Sequence, residues 1–539
     1  MSLGVLRLRN PAAKWIILSV AVIVFLTAMV RVPLLNIPFE RDEGEYAYIA
    51  WRLGHNELPY RDWVDQKPPG IFWTYRLALD LPLNPVYSVH LMGLLFSAAS
   101  ACALFFLARR FTSQPWSVAA AALFAILSAD PLVQGTAANT ELFMLLPLIL
   151  SQLAFLSAAS NNRHKILFIV LSGALTGVAI AFKQVAAVNG LFLVALYPVF
   201  AARGNRLRNT LSFAGWSAAG VGVVWGLIAI YFSLRQGLGD LIYNVFTHNL
   251  EYIHVIPWWA RLKFCLHTLT ILSQTQVLVW ILSAVGFIAL YMTRRMRLLL
   301  FLGGWMVTSM VGVSASGAFF PHYFQQILPA LSMMAALGAE ALYGVYFWKM
   351  VPAWSRGAIA VAMLVILPVV VIYPFIFTYT PAESVRKIYP RNFFAEMPDL
   401  GRRIAQVTGP DDRVFIFGAE AELFFYAQRA SATRYIFLFP LYGTYRDARE
   451  KQIAVAKEIS LNQPAAAVYL PNDLFFQPGS EQFFTQWSQS YLRENFRADA
   501  YLTADQSGTA HIIPGFNGQE PSVPTGQQII GVTFVRRAR

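Results

Sequence analysis

Long apolar runs alternate with short polar breaks over the first 380 residues. Eleven stretches approach the roughly 20 apolar residues that a helix needs to cross a bilayer: 14–31, 87–108, 115–133, 139–158, 166–182, 184–201, 210–234, 271–292, 298–315, 322–348 and 357–379. The fifth and sixth form a tight hairpin around Lys183-Gln184. Three longer segments interrupt the pattern: the loop 32–86, the loop 235–270 and everything after Thr380. In that tail the helical stretches become polar on one face, and short β-rich runs appear at Arg413–Phe417, Arg434–Phe437 and Ala466–Leu470. Strands alternating with helical patterns predict a small α/β domain. The expected fold is a polytopic α-helical membrane protein of about eleven spans, residues 1–380, followed by an α/β domain over 381–539.

Composition agrees with the pattern. Hydrophobic residues make up 57% of the chain and charged residues 13%, against about a quarter charged in a soluble domain. Mean hydropathy is +0.49. The formal charge of +13 would suit nucleic acid, but the basic residues fall in short loops between apolar runs, where they act as topology signals. With the N-terminus inside, the inner loops hold Arg109 and Arg110; Arg163 and Lys165; Arg203, Arg206 and Arg208; Arg294, Arg295 and Arg297; and Lys349 with Arg356. The outer connections 134–138 and 316–321 hold no Lys or Arg. The three long segments then lie outside. The run Trp15 to Val30 follows Arg7, Arg9 and Lys14 without a clear cleavage site and is expected to be a retained first span. Two cysteines, Cys102 and Cys265, are too few for a disulfide framework or a zinc site. The chain has no Asn-x-Ser/Thr sequon, which favours a bacterial envelope location.

The first long loop is the most polar part of this apolar half. Tyr46, Ile49, Ala50 and Leu53 recur at helical spacing, predicting an amphipathic surface helix opened by Asp42 or Glu43 and ended by Gly54. Pro68-Pro69 excludes a helix at Lys67, which falls on an extended turn before a second short helix. When a polyprenyl phosphate leaves a sugar, the attacking hydroxyl needs a base and the departing phosphate needs a fixed cation. Asp42 and Lys67 are such a pair. Plainer roles exist for each residue. Asp42 with Glu45 fits a capping box, which is compatible with catalysis. Glu43 also suits a solvated acid at a helix start, Lys67 a lysine snorkelling to headgroups, and Lys183 an ordinary loop lysine. His322-Tyr323 opens the tenth span and could touch phosphate or acceptor, although a lone interfacial histidine is more often structural. His248, Glu251 and His254 have a spacing that suits a metal on a helix, but no second cluster supports them, so no metal ligand is assigned.

The stretch RDEGEYAYIAWRLGHNELPYRDWVDQKPPGIFW resembles the superfamily of lipid A aminoarabinose transferases and protein O-mannosyltransferases, glycosyltransferases of the GT-C fold in and around family 39. The shared features are an acidic pair after the first span, an aromatic residue three positions later and a Lys-Pro-Pro turn. The resemblance implies Asp42 as catalytic carboxylate with Glu43 as its neighbour, and Lys67 on the donor phosphate. Arg41 and Lys183 are further phosphate candidates, Lys183 because a lysine at the membrane interface is costly and needs a partner. A second acid, usually aspartate, falls on Glu141 in GTAANTELFM, beside Asn139. Tyr46, His322 and Tyr323 would line the substrate pocket. Some relatives use a divalent cation at the paired acids, and Asp42, Glu43 and Glu141 could host one only if the fold gathers them. No segment is long enough for the β-trefoil of protein O-mannosyltransferases, which points to the bacterial lipid- or polysaccharide-modifying branch.

The expected function is inverting transfer of a sugar from a polyprenyl phosphate to an envelope lipid, glycan or protein, at the outer face of a bacterial inner membrane. Two alternatives belong to other classes: a flippase for a polyprenyl-linked substrate, and a non-catalytic envelope assembly protein. A flippase would show charged or broken helices deep in the spans and repeated halves, and the sequence shows neither.

Overall fold

The computed structural model describes residues 13–160, 163–201, 205–252, 256–344, 352–390, 392–442, 446–471, 481–506, 509–515 and 521–537. Each of the eleven apolar stretches contains a helix: Ala13–Arg31, Pro85–Ala108, Gln114–Leu127, Thr140–Ser160, Lys165–Ile180, Ala186–Phe200, Arg206–Leu234, Trp258–Met292, Met296–Ser314, Leu328–Gly344 and Ala353–Phe377. Among the described residues, seven helices are long and apolar enough to cross a membrane, and four apolar helices are shorter. The outer surface of Arg206–Leu234 carries exposed Leu207, Leu211, Val223, Leu227 and Ile230, side chains that lipid would solvate.

Two of the boundary shifts have a local cause. The third stretch ends as a helix at Leu127, because the Asp130 carboxylate accepts the Leu132 N–H at 2.9 Å and starts a separate 3-10 turn. The eighth helix starts at Trp258 rather than near 271: Lys263 stays exposed, and half-buried Arg261 donates to the Ile256 carbonyl at 2.8 Å; this shortens the loop 235–270.

Contacts separate two ends of the bundle. At one end the Arg295 guanidinium donates to the Phe111 carbonyl at 2.6 Å, and Arg110 reaches the Ser157 hydroxyl at 3.4 Å. At the other end the first loop meets the connections 128–139 and 181–185 and the C-terminal domain, and Gln134 of the first of these connections pairs with His322. The expected inner cations Arg109, Arg110, Arg294 and Arg295 therefore lie away from Asp42 and Lys67. Arg203 and Lys349 lie outside the described residues.

The tail builds a mixed sheet from β1 (Arg413–Phe417), β2 (Ala430–Ser431), β3 (Ala466–Tyr469), β4 (Phe496–Ala504), β5 (Ala510–Pro514) and β6 (Gln528–Arg536), in the order β2-β1-β3-β6-β4-β5. β1 is parallel to β2 and β3, with Val414 opposite Ala466; the remaining pairs are antiparallel. The helix Ala448–Asn462 supplies the crossover into β3. Alternation along β1 divides its side chains between two cores: Phe415 and Phe417 pack with Ile459 and Phe484, whereas Val414 and Ile416 join a core shared with Tyr48 and Trp63 of the first loop.

The expected strand Arg434–Phe437 is irregular chain. Its backbone is used elsewhere: the Glu458 carboxylate accepts the Arg434 N–H at 2.9 Å, and the Arg434 carbonyl accepts the Val64 N–H at 2.9 Å. The place beside β1 is taken by Ala430–Ser431.

Candidate active site

The first loop forms the expected helix, Arg41–Leu53, ending at Gly54. Its capping differs from expectation. Glu40 is the N-cap, and the capping box joins Glu40 to Glu43: the Glu43 N–H donates to Glu40 Oε1 at 3.3 Å and the Glu40 N–H to Glu43 Oε2 at 3.2 Å. Asp42 is thereby released from the role of cap. Glu43 faces inward instead, 1% exposed, with its Oε1 2.8 Å from His90 Nε2 and accepting the Ala138 N–H at 2.7 Å. Every Glu43 contact is to a buried protein group, so its placement suits holding the helix rather than touching a substrate. The helix also does not lie open at a membrane surface, because residues Glu43 to Ala50 are all buried. Gly44 packs directly on Glu422 of the C-terminal domain, where a Cβ would collide with the Glu422 backbone and side chain.

Asp42 faces the Lys-Pro-Pro turn. Lys67 Nζ is 3.4 Å from Asp42 Oδ2 and donates to the Tyr46 hydroxyl at 2.9 Å. The turn is fixed from several sides. The Lys67 N–H donates to Asp65 Oδ1 at 2.7 Å, the Tyr60 hydroxyl donates to the Lys67 carbonyl at 2.6 Å, and the Gln66 carbonyl accepts from Gln184 and Asn249, both at 3.0 Å. The Gly70 N–H donates to the Ala181 carbonyl at 2.8 Å, and a Cβ at 70 would meet that carbonyl, so glycine permits the approach. The second short helix, Gly70–Leu79, follows as expected.

The approach brings the 181–185 turn into the site. Lys183 binds Glu141, the first-turn acid of Thr140–Ser160, and its Nζ stands 3.7 Å over the Tyr323 ring. His322 Nδ1 pairs with Gln134 Oε1 at 2.8 Å, and Gln134 adopts a left-handed backbone with φ 53°. Asp42, Lys67, Glu141, Lys183 and His322 lie within electrostatic reach of one another. Burial works to raise the Asp42 carboxyl, but Lys67, then His322 and Arg41, outweigh it and hold it below the ordinary aspartate range. Burial works against the Lys67 ammonium, yet Asp42, Tyr46, Asp65 and Glu45 lift it well above the ordinary lysine range. Lys183 goes the other way: burial lowers it, and Glu141 only partly compensates.

Arg41 turns away from the Lys67 turn. Its guanidinium donates to Glu420 at 2.8 Å and to Asn392 at 3.2 Å and lies against the rings of Phe394 and Phe439. It joins the loop helix to the C-terminal domain instead of facing a donor phosphate. His248 lines a separate cavity of about 120 Å³ with Arg434 and Lys451, while His254 and the Glu251 side chain lie outside the described residues. Among the described residues no group of three His, Cys, Asp or Glu is arranged for a metal. Asp42 faces Lys67, Glu141 holds Lys183 and Glu43 is turned to His90, so each of the three acids has its own partner. Tyr60 and Gln134 were not legible as site residues, because a left-handed backbone at a Tyr or Gln leaves no mark in sequence. Glu420 and Glu422 carried a faint signal in two acids within an apolar run.

Residues 66–229 match the model of a family described as dolichyl-phosphate-mannose-protein mannosyltransferase. The crystal structure of ArnT from Cupriavidus metallidurans bound to undecaprenyl phosphate superposes with a TM-score of 0.59 at 18% identity, covering 97% of this chain and 98% of that one. The archaeal oligosaccharyltransferase AglB from Archaeoglobus fulgidus, in complex with an inhibitory peptide and a dolichol-phosphate, gives 0.52 at 13% identity, covering 96% of this chain and 76% of that one. No curated protein matches the sequence. The solved structures bear out the GT-C fold over nearly the whole chain, and the family model bears out the glycosyltransferase class.

Proposed function

We propose that this membrane glycosyltransferase moves a sugar from a polyprenyl-phosphate donor to a cell-envelope acceptor by inverting displacement. The observation that carries the proposal is the Lys67 ammonium held between Asp42 Oδ2 and the Tyr46 hydroxyl, on a turn packed against the Lys183 turn. A phosphate arriving between the lysines gives Lys67 an anion other than Asp42. That exchange weakens the cation that depresses Asp42 and makes its carboxylate a better base. Asp42 takes the acceptor hydroxyl proton as the oxygen attacks the anomeric carbon. The carbon–oxygen bond to phosphate breaks, and the polyprenyl phosphate departs with its charge held by Lys67 and Lys183. Glu141 keeps Lys183 in place, and Tyr46, His322 and Tyr323 shape the pocket.

In this proposal residues 1–380 carry the chemistry, and 381–539 form an extracytoplasmic cover over the loop helix. The N-terminus is cytoplasmic and the active face is the outer face of a bacterial inner membrane, supported by the cations clustered at the opposite end of the bundle. The test is transfer from a radiolabelled polyprenyl-phosphate sugar to an envelope extract by purified protein. Asp42→Asn is expected to lower the rate about 10²–10⁴-fold while donor affinity changes little. Transfer at the wild-type rate by Asp42→Asn would remove the base from the mechanism.

A further inference from the structure

Behind Lys67 lies a second pair of acids that the mechanism above does not use. Glu45, on the loop helix, is 5% exposed, and Asp65, on the turn, is 1% exposed. Glu45 Oε1 and Asp65 Oδ2 are buried and receive no N–H or O–H from any neighbour. Their carboxyl groups lie within hydrogen-bonding reach of each other. Two ionised carboxylates have only acceptors and cannot bond to each other, whereas a protonated one could donate to its neighbour and satisfy these buried oxygens. The other Asp65 oxygen accepts the Lys67 N–H at 2.7 Å.

We infer that Glu45 and Asp65 are a positioning pair, in which a neutral Glu45 carboxyl donates to the Asp65 carboxylate that holds the Lys67 backbone. The arrangement has two effects on the donor site, and the inference rests on the proposed role of that site. It fixes the Lys67 main chain so that the ammonium presents one geometry. It also leaves one negative charge behind Lys67 instead of two, which keeps the lysine available to an anionic lipid.

The environment determines which acid keeps the proton. The titratable and charged groups facing the pair are Asp42 and Tyr46 on the same helix and Tyr60 and Lys67 on the loop. Burial, then Asp65, pushes Glu45 well above the ordinary glutamate range, and Lys67 only partly offsets them. Burial raises Asp65 too, but Lys67 and its backbone N–H favour the carboxylate there. Glu45 is therefore the acid and Asp65 the acceptor.

The test uses the full-length protein in nanodiscs, with undecaprenyl phosphate as probe and undecaprenol as its uncharged control. Glu45→Ala leaves Asp65 without its donor and is expected to weaken binding of the phosphate by about tenfold or more. Glu45→Gln supplies a carboxamide N–H to Asp65 and is expected to restore affinity to within about threefold of wild type. Neither change should alter undecaprenol binding. If Glu45→Gln binds no better than Glu45→Ala, or Glu45→Ala binds like wild type, the inference is overturned. The infrared difference between wild type and Glu45→Gln supplies a readout independent of any ligand. It should contain the carbonyl stretch of a protonated carboxylic acid, and its absence overturns the shared proton. Lys67→Ala separates the two claims: unchanged phosphate binding there would defeat the donor-site assignment, while the infrared band still decides the pair.

Discussion

At the scale of single residues, the site is built from charges that would each be costly alone. Glu141 is 1% exposed on its side chain and Lys183 12%, so removing one partner strands a buried charge. Glu141→Ala and Lys183→Met are each expected to destabilise the protein by about 3–5 kcal/mol, while the double substitution Glu141→Leu with Lys183→Met recovers most of the loss. Thermal unfolding in detergent checks this, and a double variant as unstable as the singles would refute it. The Asp42–Lys67 pair has a definite pH signature. Asp42 is depressed, so its contribution is complete above the ordinary aspartate pKa and is lost only as pH falls through the lower folded value. Lys67 is raised, so its contribution is complete below the ordinary lysine pKa and is lost only as pH rises through the higher one. A pH–rate profile should therefore show no break from Asp42 or Lys67 between about pH 5 and 9. In sequence Asp42 and Lys67 stood out as an acid and a cation in one polar loop, Lys183 and His322-Tyr323 as polar residues beside apolar spans, and Glu141 only through the family resemblance. The inward turn of Glu43 was not legible, since the sequence does not say which acid of ERDEGE caps the helix.

At the scale of elements, the interface between the loop helix Arg41–Leu53 and the segment around Glu422 governs both stability and activity. A methyl group at Gly44 would strike Glu422, so Gly44→Ala is expected to cost about 1–3 kcal/mol and to lower transfer by displacing Asp42. Near-wild-type melting and activity would refute that packing. Glu422 itself is fully buried, neither carboxylate oxygen has a partner, and burial followed by Glu420 raises it from 4.5 to about 8. The folded state then holds a proton that the unfolded state has released between those values. Stability should fall as pH rises from about 4.5 to 8 and level off above. Glu422→Gln should flatten that dependence, as differential scanning fluorimetry across the pH range would show. Helix periodicity and the Pro-Pro break were enough to place the helix and the turn after it. The strand expected at Arg434–Phe437 failed for a physical reason, because β propensity cannot reveal that a backbone is already bonded to Glu458 and Val64.

At the scale of the whole molecule, the bundle carries its catalytic candidates at one end and a band of arginines at the other. Positive-inside topology then predicts that alkaline phosphatase fused after residue 380 is active and that the same reporter inserted at 161–164 is inactive. The opposite pattern would invert the protein and place the site in the cytoplasm. The bundle was readable from hydropathy, whereas the docking of the tail on the first loop was not, because nothing local to either segment records a partner so far along the chain. The Phe39 N–H and the Tyr426 hydroxyl that accepts it at 2.9 Å are separated by 387 residues. A ribosome adding about 5–20 residues per second needs roughly 20–80 s to cover that distance. During this interval the loop helix waits without the surface that covers it. Residues near 426 therefore complete a surface begun near 39, and the covering of the loop helix must wait for their synthesis.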